Sequence, residues 1–136
     1  MIRAVLDANV LVSALITPRG SPSELIRRWQ AGVFEIVVSR KLLAELEGVL
    51  ERPKFRRYVD AAERRDYAEL LAGRSIVIDD PLHPERLATD RSGDFVIALA
   101  RSSDGILVTG DEQLLQLRIP GLAIHSPRSF LEALKG

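Results

Sequence analysis

Two acids end short apolar runs in this chain, Asp7 in "VLDANV" and Asp111 in "LVTGD". Glu45 lies within "VVSRKLLAEL", and Asp94 opens "DFVIALA" with Asp90 four residues before it. In "VLDANVLVSAL" the acid and the amide Asn9 interrupt Val and Leu that otherwise read as buried. Burying an unpartnered carboxylate is expensive on the scale of a small domain's whole stability. Singly, each acid has a plain explanation. Asp7 and Asp111 suit helix caps, Asp94 suits a positive helix N-terminus, and Glu45 suits a solvated helix face. Together they raise a different demand, because two carboxylates about 4 Å apart repel by about 4 kcal/mol at an effective dielectric of about 20. A cation between them removes that cost. Oxygen ligands without His or Cys select a hard ion, Mg²⁺ or Mn²⁺, which serves phosphoryl chemistry by activating water and neutralising charge on phosphate oxygens.

The elements that must position these acids follow from the apolar pattern. Ile2 to Leu6, Phe34 to Val38, "SIVI", "ILVT" and "LAIH" read as five short buried strands. Helices are expected over Val10 to Ile16 and from Ser21-Pro22 through Trp29, closed near Gly32. Ser39 caps the next, which runs to about Leu50 and is stopped by Pro53. Asp60 with Glu63 has capping-box spacing and starts a helix to Leu71, ended by Gly73. A long polar loop spans Asp79 to Gly93, then helices cover Asp94 to Arg101 and Glu112 to Leu117. Ser126-Pro127 opens the last, which ends at Gly136. Solid apolar strands alternating with helices predict a parallel sheet covered on both faces, whose ligands bind at the carboxyl ends of the strands. The acids fall at that end.

Composition narrows the alternatives. The 136 residues, 46% apolar, fit one domain spanning 1–136. No cysteine is present, which excludes disulfides, thiolate zinc sites and cysteine nucleophiles, and two histidines leave little room for a histidine base. Nineteen basic and nineteen acidic side chains cancel, so a polyanion site must be a local patch. The stretch "ERPKFRRYVDAAERRD" offers one, with Arg52, Lys54, Arg56 and Arg57 beside Phe55 and Tyr58. A solvated helical hairpin explains the same stretch equally well. The lone Trp29 is expected in the core, His83 in a loop and His125 at a strand end. No leader or membrane-spanning run is evident, so a soluble cytoplasmic domain with no membrane partner is expected.

"VLDANVLVSAL", "VVSRKLLAELEGVL", "DFVIALA", "LVTGDEQLL" and the closing "SPRSFLEAL" occur in the order and spacing of the PIN-domain family. The chain resembles most the branch assigned as toxins of toxin–antitoxin pairs, close to the VapC toxins. The resemblance implies a three-layer α/β/α sandwich with a short, mainly parallel five-stranded sheet. It implies a Mg²⁺- or Mn²⁺-dependent endoribonuclease whose catalytic and metal-binding acids are Asp7, Glu45, Asp94 and Asp111. Asn9 and Thr109 would orient acids or water, and Asp90 would be an accessory acid. An RNA substrate, a cognate antitoxin and a homodimer are implied with it. Ala8 stands where the family usually has Thr, "TDRSGDF" is leaner in acid than the branch's Asp-rich segment, and Phe95 occupies a common Lys position.

Glu45 has a rival in Glu47. At 100° per residue the apolar stripe runs through Leu42, Leu43, Leu46, Val49 and Leu50, and the two glutamates flank it on opposite sides. Periodicity does not choose between them; the resemblance points to Glu45. Competing families fail on named residues. A haloacid-dehalogenase-like phosphatase needs a second Asp where Asn9 stands, and a receiver domain needs a Lys near His125 and Ser126. "PRGSPS" lacks the Lys and spacing of a phosphate-cradling loop. Two alternatives remain open: a catalytically weak RNA- or partner-binding module on the same fold, and a metal-dependent phosphohydrolase outside any toxin–antitoxin pair.

Overall fold

A computed structural model describes residues 1–135. The first strand, β1 (Arg3–Leu6), buries Ala4, Val5 and Leu6 completely, so its side chains meet cover on both faces of the sheet. The remaining strands are β2 (Glu35–Val38), β3 (Ile76–Val77), β4 (Ile106–Val108) and β5 (Ile124–His125). They form one five-stranded sheet in the order β3-β2-β1-β4-β5, parallel at every pairing. Ala4 pairs with Ile36 on one side of β1 and Leu6 with Val108 on the other. Strand order reverses between β1 and β4, which makes the crevice beyond their carboxyl ends the binding position of such a sheet.

The helices are α1 (Ala8–Ile16), α2 (Ser21–Gln30), α3 (Arg40–Leu50), α4 (Pro53–Arg56), α5 (Ala61–Arg74), α6 (Arg91–Ser102), α7 (Glu112–Leu115) and α8 (Pro127–Lys135). Helix α1 packs on α2 and α3, α3 on α5, and α2 on α8, while α6 packs on β1 and β4. Right-handed crossovers put the connections from β1 to β3 on one face and the return from β3 to β4 on the other. The α/β/α layering expected from the sequence is therefore present, with a sheet that is wholly rather than mainly parallel. Trp29 belongs to the core at 6% exposure, and Phe34 meets Phe130 edge-on at 5.1 Å between ring centroids.

Several boundaries move for identifiable reasons. Ser39 caps α3 by accepting from Leu42 N–H, and Asp60 and Glu63 form the expected capping box of α5. Pro53, however, begins α4 as well as following α3, since the first helical position tolerates a missing N–H. Gly73 does not end α5, which runs to Arg74 and closes at Ser75. Helix α6 starts at Arg91, not Asp94, because Asp90 accepts Gly93 N–H and supplies the cap three residues earlier. The expected end of α8 at Gly136 lies outside the described residues.

One long-range hydrogen bond ties the α5 side of this layer to α1: the buried Tyr67 hydroxyl donates to the Leu11 carbonyl at 2.7 Å. Tyr67→Phe is expected to lower stability by about 1 kcal/mol. Urea unfolding measures this, with the slope against denaturant unchanged.

Candidate metal and phosphoryl-transfer cleft

β1 passes to α1 through Asp7 alone, and β4 passes to α7 through Thr109, Gly110 and Asp111. Asp7 N–H donates to the Val108 carbonyl at 3.0 Å, extending the β1–β4 pairing to the edge of the site. The Asp7 carboxylate then caps α1, with Oδ1 accepting from Asn9 N–H at 3.0 Å and Val10 N–H at 3.3 Å. Its Oδ2 accepts a short hydrogen bond from the Thr109 hydroxyl, whose oxygen in turn accepts from Asp111 N–H at 3.0 Å. Thr109 is fully buried and so links the acid after β1 to the acid after β4. Asp111 caps α7 through Gln113 N–H at 2.8 Å and Leu114 N–H at 3.3 Å. Asp90 caps α6 through Gly93 N–H, and its Oδ1 also accepts the Ser92 hydroxyl at 2.8 Å.

These elements form an open cleft lined by Asp7, Asn9, Glu45, Asp90, Ser92 and Asp111, with Ala8, Gly93, Val96 and Leu114 between them. Gly93 is required for the closeness of its walls. A Cβ there would lie 2.8 Å from the Ala88 Cβ and 3.1 Å from a Leu114 methyl. Helix α3 turns Glu45 into the cleft, half-buried, whereas Glu47 is exposed beside Arg64 and Arg65.

The electrostatics record the crowding. Burial pushes the Asp7 carboxyl above its ordinary value despite the hydrogen bonds from Thr109, Val10 and Asn9, and the Asp111 charge adds to the rise. Burial also raises Glu45, reinforced by the charges of Asp7 and Asp90 and opposed by Lys41 and Arg52. Asp90, at the solvent edge, is held low by Gly93 N–H and the Ser92 hydroxyl.

Asp94 is not in this cleft. It is 2% exposed, and its Oδ1 accepts from Leu87 N–H at 2.7 Å and Ala88 N–H at 2.6 Å. Arg86 Nε stands 3.3 Å from Oδ2, which makes no well-angled hydrogen bond. The Ala88 N–H, with Leu87 and Arg86, holds this carboxyl below its ordinary value against the opposing effect of burial. Once Asp90 is the cap, Asp94 falls one turn into α6 and turns toward the loop that precedes it. Asp90, expected as an accessory, takes the place at the cleft that the sequence reading gave to Asp94. The signal for it was the Asp-x-x-Gly spacing of a capped helix start; the cleft-lining Ser92 and Gly93 carried no separate signal.

The basic stretch divides. Arg52 lies near enough to Glu45 to oppose its rise. Arg56 Nε donates to the Glu51 carbonyl at 2.9 Å, and Lys54 and Arg57 lie over Phe55 and Tyr58. His83 is exposed in the loop before α6, and His125 Nδ1 pairs with the Ser129 hydroxyl at 2.7 Å at the end of β5.

Among the described residues no three acidic or histidine side chains form a ready-made metal cage. The donors nevertheless suit a hard ion. All are oxygens, the Asp7 and Glu45 carboxyls are raised by burial and by neighbouring acids, and Mg²⁺ characteristically takes one or two carboxylates and completes its shell with water and phosphate.

A parallel sheet in this order, with carboxylates at its switch point, defines an α/β protein with an acidic crevice at the ligand-binding end of the sheet. The sequence profile of the PIN domain matches residues 3–113, and the chain belongs to that family. It is 30% identical to the uncharacterized protein MJ1680 of Methanocaldococcus jannaschii over 141 residues, covering 96% of this chain and 90% of that protein. Its fold is shared with PAE2754 from Pyrobaculum aerophilum, at TM-score 0.65 and 22% identity over 98% of this chain and 90% of that one. It is shared also with VapBC2 from Rickettsia felis, bound there to a DNA fragment from their promoter, at TM-score 0.64 and 19% identity over 92% and 98%.

Asp94→Asn tests the latch. It weakens two charge-assisted bonds and is expected to cost about 1–3 kcal/mol at pH 7. Because the folded carboxyl titrates below its ordinary value of 3.8, its stabilisation is complete above that value and is lost as pH falls through the lower, folded one. The stability gap between wild type and variant should therefore close in acid, as followed by urea unfolding across pH. A variant as stable as wild type at pH 7 would return Asp94 to a repulsive acid cluster.

Proposed function

We propose that this protein is a Mg²⁺- or Mn²⁺-dependent endoribonuclease and the toxin of a toxin–antitoxin pair. The observation that carries the nuclease reading is the cleft itself, where Asp7, Glu45, Asp90 and Asp111 converge on the β1–β4 switch point of a PIN domain, a family whose members are generally nucleases. A bound divalent ion would supply a water nucleophile at neutral pH and charge neutralisation at the scissile phosphate. Asp7, Glu45, Asp90 and Asp111 would hold it. Thr109 fixes the rotamer of Asp7 and the backbone of Asp111, so neither acid has to be ordered when the ion arrives. Asn9, exposed and lining the cleft, would orient water or a phosphate oxygen. Asp94 acts at a distance, by holding the loop that ends in Asp90. Arg52, whose charge acts on Glu45, would be the member of the basic stretch that meets RNA at the cleft, and Lys54, Arg56, Arg57 and the exposed Tyr58 follow it in the chain.

The toxin role rests on resemblance to the VapC toxins and on the fold shared with VapBC2. It brings with it a protein antitoxin, a second copy of the chain and a cytoplasmic site of action. No described helix is long and apolar enough to cross a membrane.

Incubation of the pure protein with structured and unstructured RNAs is expected to give cleavage with Mn²⁺ or Mg²⁺ and none with chelator. Glu45→Gln should lose activity on the order of 10²-fold or more, the scale of removing one group that stabilises a charged transition state. It should also bind Mn²⁺ more weakly by calorimetry, while Glu47→Gln retains both. Without metal, Glu45→Gln should be at least as stable as wild type. A carboxyl raised by burial and neighbouring charge opposes folding when ionised above its folded value. Cleavage that survives chelation, or the reverse pattern in the two glutamines, would overturn the reading.

A further inference from the structure

Lys41 lies in the first turn of α3, one turn before Glu45, and its backbone N–H donates to Asp80 Oδ1 at 3.2 Å. Its Nζ stands 4.7 Å from the centroid of the Phe95 ring. Phe95 is 1% exposed and belongs to α6, between Gly93 and Val96, both of which line the cleft. The ring thus fixes the ammonium at the seam of α3 and α6, on the rim of the acid site. Among the described residues Lys41 makes no ion pair within 4.0 Å. Its charge reaches Glu45 through space, as does that of Arg52 from the opposite end of the helix. By backbone rise Lys41 lies about 6 Å before Glu45 along α3, at about 1.5 Å per residue, and Arg52 follows the end of that helix as the N-cap of α4.

A cation whose stem is seated on an aromatic face, and whose three N–H donors have no carboxylate to satisfy, is prepared for an external anion. Lys41 and Arg52 stand before and after Glu45 in the chain, and both charges act on it, so a strand lying along α3 can meet both. We propose that Lys41 is a phosphate-binding residue of this site, holding a backbone phosphate of single-stranded RNA on the side of the cleft opposite Arg52. The inference rests on the ribonuclease reading and adds to it a residue outside the basic stretch and a path for the strand, along α3 from Lys41 to Arg52.

The test uses the full chain loaded with Mn²⁺ and a short single-stranded RNA, with KM and kcat followed across a salt series. Lys41→Met keeps an apolar stem on Phe95 and removes the charge. It is expected to raise KM several-fold with kcat nearly unchanged, and to flatten the slope of log(kcat/KM) against log salt by about 0.7, the value of one single-strand phosphate contact. Lys41→Arg, which retains charge and stacks on the ring, should restore both. Mn²⁺ binding by calorimetry without RNA should be unchanged or tighter in Lys41→Met, since a neighbouring positive charge is gone. Wild-type KM and salt slope in Lys41→Met would overturn the phosphate site while leaving the ribonuclease standing. A fall in kcat with weaker Mn²⁺ binding would overturn it in favour of a role through the acids. If the wild type cleaves none of the RNAs with any metal, the ribonuclease reading and the phosphate site fall together.

Discussion

The constraint that organises this molecule is the cost of collecting carboxylates at one end of a buried sheet. Three of the four acids at the cleft are helix N-caps: Asp7 for α1, Asp90 for α6 and Asp111 for α7. Helices that follow or precede parallel strands run antiparallel to them, so their N-termini gather at the strands' carboxyl ends. There the free N–H groups and the positive end of each helix meet the acids. A cap contributes about 1 kcal/mol, and Asp7 has a further bond from Thr109. Even so, burial outweighs these bonds and leaves its carboxyl above its ordinary value. The backbone can place the charge but not neutralise it. On the nuclease reading, that remaining demand is what a divalent ion satisfies.

Much of this arrangement was legible because caps and strands are local. "IRAVLD" and "EIVV" read as buried strands from their own composition, and Ser39 and the Asp60–Glu63 pair announce the helices they begin. What was not legible depended on choices made between neighbours. Asp90 and Asp94 both suit a helix start, and the local pattern does not say which of the two lines the cleft. The structure separates them by what each can reach: Gly93 N–H for Asp90, and the Leu87 and Ala88 N–H groups for Asp94. The second pair belongs to the loop before α6, whose path no local pattern specified. Gly73 misled in a simpler way. A glycine ends a helix when the chain needs a positive φ, and Gly73 is not among the described glycines that have one, Gly20, Gly32 and Gly121.

The two glutamates of α3 show a different limit. A helical wheel says which residues are equivalent about an apolar stripe, not which flank of the stripe faces the sheet's end. That is decided by packing, here of α3 between α1 and α5. With α5 on one side, Glu47 comes to lie by Arg64 and Arg65, and Glu45 is turned to the side where β1 ends and α6 begins. Resemblance to a family resolved this ambiguity because an ordered set of motifs carries tertiary information that one helix does not.

A protein of zero net charge with an acidic cleft has no general attraction for a polyanion. On the nuclease reading the cleft itself repels RNA until its charge is changed, and the cations at its edge are few. A divalent ion alters that balance more than any side chain, adding two positive charges where the repulsion is greatest. Metal and RNA then assist each other's binding, and the coupling is reciprocal by linkage. RNA affinity at the cleft must rise with bound metal by the same factor as metal affinity rises with bound RNA. The partly open donor set fits that order of events, since an ion held by only some of its ligands keeps positions for phosphate oxygens. A closed cage of carboxylates would bind the ion more tightly and leave the strand nothing to complete.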